Sequence, residues 1–215
     1  MSKQRSAIIN RIQQGLARTD NCVDISQRFA QLTGKPNPPV QPTLPGKTLE
    51  AFTTAATQNA AEVHYINHLQ ALPQWLNKRA EQLAQHPPLA LSPELSQAPL
   101  SWPPFESGDY RQQTNCWGIT QAYAGIAETG TVVCVSEDCP SSFLFLVERL
   151  IVVLDAADIV AYQEQLWQSL QQRFKGRLPR AVNLITGPSR TADVEQQIQL
   201  GAHGPRWTDY VIVNQ

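Results

Sequence analysis

Arg149-Leu-Ile-Val-Val-Leu154 is an unbroken apolar run behind a single arginine. No polar residue alternates within it, so it is expected as a strand covered on both faces, as in a parallel sheet packed between layers. Working outward, Ile159–Phe174 places Ile159, Tyr162, Leu166, Leu170 and Phe174 at helical spacing. Ala181–Ile185 reads as another buried strand, Thr191–Leu200 as a helix and Tyr210–Val213 as a last strand. On the other side, Trp117–Thr120 and Thr131–Ser136 read as strands flanking the Ala- and Gly-rich segment 122–130, and Pro87–Ser92 as a weaker strand. Thr48–Ala61 and Pro73–Leu83 read as helices around a short strand at Val63–Ile66, and Ser101–Gln113 as irregular. Strands alternating with helices define an α/β fold with a mostly parallel sheet flanked by helices.

The chain upstream reads differently. Ser2–Leu32 is expected as a helical arm, with Ile8, Ile9, Ile12 and Leu16 on one side, ended by Gly34. Lys35–Pro45 then carries five prolines in eleven residues, which excludes a helix or a central strand. The expected organisation is a helical arm over 1–34, a proline-rich linker over 35–46 and one α/β domain over 47–215.

Composition narrows the function. With 17 Lys+Arg against 18 Asp+Glu, the net charge of -1 offers no broad footprint for nucleic acid or an anionic membrane. No apolar run approaches a membrane span and Met1–Arg11 lacks the apolar stretch of a secretory signal, so a cytoplasmic protein is expected. The four cysteines, Cys22, Cys116, Cys134 and Cys139, form no C-x-x-C pair, so neither a structural zinc nor an iron–sulfur cluster is expected on this chain. His64 and His68 lie four apart, but His64 reads in a strand, so no metal site is expected from the pair.

Two segments depart from the core pattern. Gly125-Ile-Ala-Glu-Thr-Gly-Thr131 leads into a buried strand, and its carboxylate, Glu128, stands beside Thr129, Gly130 and Thr131. Such a group can serve as base, nucleophile or ligand contact. The plainer reading is a tight turn in which Gly130 takes an unusual backbone conformation and the polar side chains satisfy backbone groups. The second segment, Ile185-Thr-Gly-Pro-Ser-Arg-Thr-Ala-Asp-Val-Glu195, reads as a strand, a loop and the start of a helix. Ser189 or Thr191 would cap that helix. Its free amides, with Gly187, Ser189, Arg190 and Thr191, would also receive an anion. His203, in Gly201-Ala-His-Gly-Pro205, is a further ligand candidate, though a loop histidine is more often a turn residue.

Ile119-Thr-Gln-Ala122, the 125–131 and 185–195 segments and Gly201–Pro205 occur in the order seen in LUD-domain proteins. The chain most resembles the branch of lactate utilization protein C, specifically over about 110–215 and more loosely over 47–100. It departs where that family tends to have Leu-Leu-Pro-x-x-His, because Leu146 and Arg149 stand at the Pro and His positions. The resemblance implies a fold similar to ribose-phosphate isomerases and CoA transferases. It also implies a part in oxidising L-lactate to pyruvate with partner subunits that hold iron–sulfur clusters, this chain lacking their ferredoxin-like cysteine motifs.

The expected function is therefore an accessory or ligand-binding subunit of a lactate-oxidising complex, binding a small anion. The alternative is a stand-alone transferase or isomerase acting on an anionic acyl or sugar substrate, with Glu128 as its catalytic carboxylate. Against that, Ala127-Glu-Thr-Gly130 shares only Glu-x-Gly with the Ser-Glu-Asn-Gly setting of class I CoA transferases. Solitary redox catalysis is disfavoured by the lack of any nicotinamide, flavin or cluster motif.

Overall fold

The computed structural model describes residue 11 and residues 41–175, 177–194 and 197–214. The expected arm over 1–34 (except Arg11) and the first half of the expected linker lie outside the described residues. From Pro42 onward the chain forms one compact unit.

Its centre is a five-stranded, all-parallel sheet in the order β1 (Glu62–Ile66), β11 (Trp207–Val213), β6 (Arg149–Asp155), β3 (Trp117–Gln121), β2 (Leu89–Leu91). The apolar run of β6 is central, flanked by β11 and β3, and its side chains divide by the two-residue period of a strand. Leu150, Val152 and Leu154 join one buried cluster, and Ile151 and Val153 join another. Burying each such side chain is worth roughly 1.5–3 kcal/mol, so the continuous apolar pattern specifies a strand covered on both faces.

Helix α2 (Leu72–Leu83) and the short α3 (Pro93–Gln97) cover one face through Leu72, Leu76, Ala80 and Leu95. The other face packs on Phe52 and Ala56 of α1 (Thr48–Gln58), on Phe143 and Leu144 of α4 (Ser141–Leu146), and on a second sheet. That sheet has the order β7 (Ile159–Val160), β4 (Ala124–Ile126), β5 (Thr131–Val135), β8 (Val182–Ile185), with β5 antiparallel to both β4 and β8. Along β5 the alternation separates layers: Val132 and Cys134 face the main core, while Val133 and Val135 pack under Leu166 and Leu170 of α5 (Gln163–Arg173).

Three expectations are corrected. Thr191–Leu200 is not a helix: β9 (Arg190–Val194) and β10 (Gln197–Leu200) form an antiparallel hairpin. Its capping-like residues also alternate with period two, and cross-strand pairing of Arg190 with Leu200 outweighs the local helix signal. Ala181–Ile185 is not a fully buried strand, because β8 is an edge of the second sheet and exposes Leu184. Its pairing with Thr131–Val135 therefore lies outside the parallel sheet. The helix expected from Ile159 starts at Gln163, since Ile159 and Val160 instead pair with Gly125 and Ile126.

Among the described residues, no helix is long and apolar enough to cross a membrane. Cys116, Cys134 and Cys139 are buried free thiols. Burial raises the pKa of Cys116 and of Cys139 to about 11, and raises that of Cys134 further, so all three are protonated and unreactive at neutral pH.

Candidate functional site

The two segments singled out in the sequence do meet. Thr131 at the head of β5 shares a 2.7 Å hydrogen bond with Thr129 and another of 2.7 Å with Thr186. This seam clasps the end of α1. Gly130 has φ +63°, and a Cβ there would fall 2.1 Å from the Ala56 backbone nitrogen. Gly187 has φ +69°, and its Cβ would fall 2.0 Å from the Asn59 carbonyl oxygen. Asn59 Nδ2 donates to the carbonyls of Ala55 (3.0 Å) and Thr129 (3.1 Å). The Gly187 amide donates to the Tyr210 hydroxyl at 2.9 Å, and that hydroxyl donates to Ile185 O at 2.8 Å. The two glycines thus answer to close backbone approach. Glu128 accepts a 3.2 Å bond from the Gln163 amide, which places its carboxylate at the amino end of α5.

The rest of the second segment turns elsewhere. The Ser189 amide donates to Pro205 O at 2.9 Å, and the Gly201 amide donates to Ser189 O at 3.0 Å, so Ser189 pins the Gly201–Pro205 loop. Arg190 is exposed at the start of β9, and Thr191 pairs with Gln199 across the hairpin. With no helix beginning there, the expected cradle of helix amides at Gly187–Thr191 is absent.

His203 does line an open cleft of about 540 Å³. It is lined by Thr114, Phe145, Leu146 and Glu148 from one stretch of chain and by Leu200, His203 and Arg206 from another. The two stretches are tied through their backbones. The Glu148 amide donates to Cys116 O (2.9 Å), and the Glu148 carbonyl accepts from the amides of Arg206 (2.8 Å) and Trp207 (3.3 Å). Glu148 and Arg206 immediately precede β6 and β11, so the cleft opens beyond the amino ends of the central parallel strands. Ligands in open α/β sheets more often sit at the carboxyl ends, which is one reason the sequence did not direct attention to this pair.

Arg206 is held in place without a counter-ion. Its guanidinium carbon lies 4.7 Å from the Trp207 ring centroid. Its stem passes Gly201, which has φ +81° and where a Cβ would fall 2.7 Å from Arg206 Cβ. Among the described residues, the Arg206, Glu148 and His203 side chains take part in no ion pair within 4.0 Å and no hydrogen bond. Phe145, Leu146 and Leu200, about half exposed, give the cleft an apolar rim.

Directly along the same strand ends lies a second charged group, and it is closed. Asp209 is fully buried. Its Oδ1 accepts from His64 Nε2 (3.0 Å), Arg79 Nε (3.1 Å) and Arg79 Nη2 (2.8 Å), and its Oδ2 accepts from Arg149 Nη1 (2.5 Å). Arg79 also bonds Glu62. The Arg149 guanidinium lies 5.2 Å from the ring centroids of both Trp117 and Trp207. Burial pushes the Asp209 pKa up, but the His64 hydrogen bond and the Arg149 and Arg79 charges outweigh it and hold the carboxyl below its ordinary value.

Glu62, His64 and Asp209 present ligand atoms within 4.8 Å of one another, a span that suits a metal ion. The donor set does not suit one, because two guanidinium groups already occupy Asp209 and a dication would have to displace them. His64 thus has a structural partner that the His64/His68 spacing did not suggest. The available signals were an acid inside the strand Trp207–Val213 and an arginine heading the apolar run of β6, since each needs a buried partner.

A sequence profile of the LUD domain matches residues 108–213, which include every residue lining the cleft. Over residues 108–213 the chain is similar to the LUD domain family. The chain is 36% identical over 108 residues to lactate utilization protein C of Geobacillus sp. (strain WCH70), covering 49% of this chain and 44% of that protein. It is 34% identical over 100 residues to lactate utilization protein C of Bacillus subtilis (strain 168), covering 45% and 42% respectively. The matched stretch thus spans less than half the length of these curated relatives. A crystal structure of a DUF162 family protein from Deinococcus radiodurans superposes with a TM-score of 0.58 at 15% identity, covering 79% of this chain and 99% of that one. That likeness establishes the shared fold.

Proposed function

We propose that the chain acts in L-lactate utilisation as a ligand-binding subunit, and that the Glu148–Arg206 cleft of its LUD-like domain receives a small carboxylate. One observation carries the reading: Arg206 is an exposed, pre-positioned guanidinium with no anion of its own among the described residues, in a cleft lying wholly within the matched domain. A guanidinium fork pairs with a carboxylate through two parallel hydrogen bonds. The apolar rim of Phe145, Leu146 and Leu200 would cover the hydrocarbon end of such an acid. The names of the relatives point to lactate.

Oxidising lactate to pyruvate releases two electrons and two protons. In this reading the electrons pass to cytoplasmic partner subunits holding iron–sulfur clusters, and this chain supplies binding rather than a redox cofactor. The test measures L-lactate-dependent dye reduction in native extracts lacking the chain. Wild-type protein should restore the rate, and Arg206→Ala should restore a tenth of it or less. Full restoration by Arg206→Ala would exclude this cleft, and an unchanged rate in the depleted extract would exclude the role.

A further inference from the structure

We propose that Glu148 is the specificity-determining residue of the cleft, selecting a 2-hydroxy acid over the corresponding 2-oxo acid. The inference rests on the reading of the cleft as a carboxylate site and adds which carboxylate it prefers. Glu148 and Arg206 are joined through their backbones at 2.8 Å and line the same cleft, yet their opposite charges form no ion pair within 4.0 Å. The cause is visible in the packing. Trp207 draws the Arg206 guanidinium over its ring, and the stem is hemmed in by Gly201. The two oppositely charged residues thus line one cleft without pairing, and a ligand bound there can join them.

The chemistry of the bridging ligand follows from what each group can do. Arg206 only donates hydrogen bonds, and an ionised Glu148 only accepts them. A ligand joining the two needs an anionic acceptor at one end and a donor next to it. A 2-hydroxy acid has that arrangement, with its carboxylate on Arg206 and its hydroxyl donating to Glu148. A 2-oxo acid presents a carbonyl oxygen, a second acceptor, to a carboxylate that cannot donate. Two acceptors then face each other and repel, which disfavours the 2-oxo acid relative to the 2-hydroxy acid. The site therefore retains substrate and releases product when the ligand is oxidised.

The experiment is isothermal titration of the full chain with L-lactate and with pyruvate at pH 7, using wild type, Glu148→Gln and Arg206→Ala, each checked for an unchanged melting temperature. Wild type should bind L-lactate at least tenfold more tightly than pyruvate. Glu148→Gln, whose amide both donates and accepts, should bring the two affinities within about threefold of each other. Arg206→Ala should weaken both acids. Equal wild-type affinities, or a preference unchanged in Glu148→Gln, with Arg206→Ala still weakening both, would overturn the assignment of Glu148 and leave the carboxylate site standing. Binding of neither acid to wild type would overturn both.

Discussion

Two charged groups lie at the same end of the parallel sheet and are built from the same residue types. Beneath α2, Asp209 and Glu62 meet Arg79, Arg149 and His64. In the cleft, Glu148 meets Arg206 and His203 without pairing. The difference is burial. A carboxylate removed from water is tolerated only with compensating charges and hydrogen bonds, and Asp209 has them on both oxygens. The cleft groups keep their hydration and need no partner, so their hydrogen-bonding capacity stays available to a ligand. Completed pairing therefore reads as structure, and withheld pairing is what the proposed carboxylate site rests on.

The largest expected effect comes from breaking the closed group. Asp209→Ala strands two buried guanidinium groups and should cost about 3–5 kcal/mol of stability in urea unfolding. A loss under 1 kcal/mol would mean that the group is solvated and that the contrast with the cleft is false.

Acid should sharpen the contrast. Folding lowers the Asp209 pKa below its ordinary 3.8, so the contribution is fully present above that value and lost as pH falls through the lower folded value. The stability gap between wild type and Asp209→Asn, followed by circular dichroism, should therefore hold steady from pH 7 to about pH 4 and shrink below it. A gap that stays unchanged down to about pH 2 would mean that folding does not hold the Asp209 carboxyl below its ordinary value.

A smaller effect is expected at the seam, where Glu128 has one exposed-side duty, the first turn of α5. Glu128→Ala should cost about 1 kcal/mol and leave lactate binding unchanged. A tenfold loss of binding would return Glu128 to the functional site. The smallest change belongs to the cleft itself. Glu148→Ala and Arg206→Ala should each alter stability by no more than about 0.5 kcal/mol, measured by thermal melting. A larger loss would show that these charges are structural after all.

The apolar runs were readable because strand and helix periods are local. β6, β3, β5, β1 and α2 stand close to where their patterns placed them, and the α/β class with a mostly parallel sheet followed from their alternation. Thr191–Leu200 shows where local pattern fails. Polar residues at 191, 193 and 195 fit a helix start and an alternating strand alike, and only pairing across the hairpin chose between them. Gly130 and Gly187 were legible as turn glycines, but not their reason, which is the end of α1 pressed against them from more than fifty residues away.

The sequence by itself determined that Arg149–Leu154 is a strand buried on both faces, that strands alternate with helices, and that no two cysteines stand at C-x-x-C spacing. Its motifs also carried the likeness to LUD domains. It did not determine which charges meet. His64 reaches Asp209 across 145 residues and Arg149 reaches it across 60, while Glu148 and Arg206 share a cleft only because β6 and β11 are neighbours in the sheet. Periodicity is written in adjacent residues and survives in a string. The company a charge keeps is set by strand order, so only the folded sheet separated an arginine locked in buried ion pairs from one without an ion pair among the described residues.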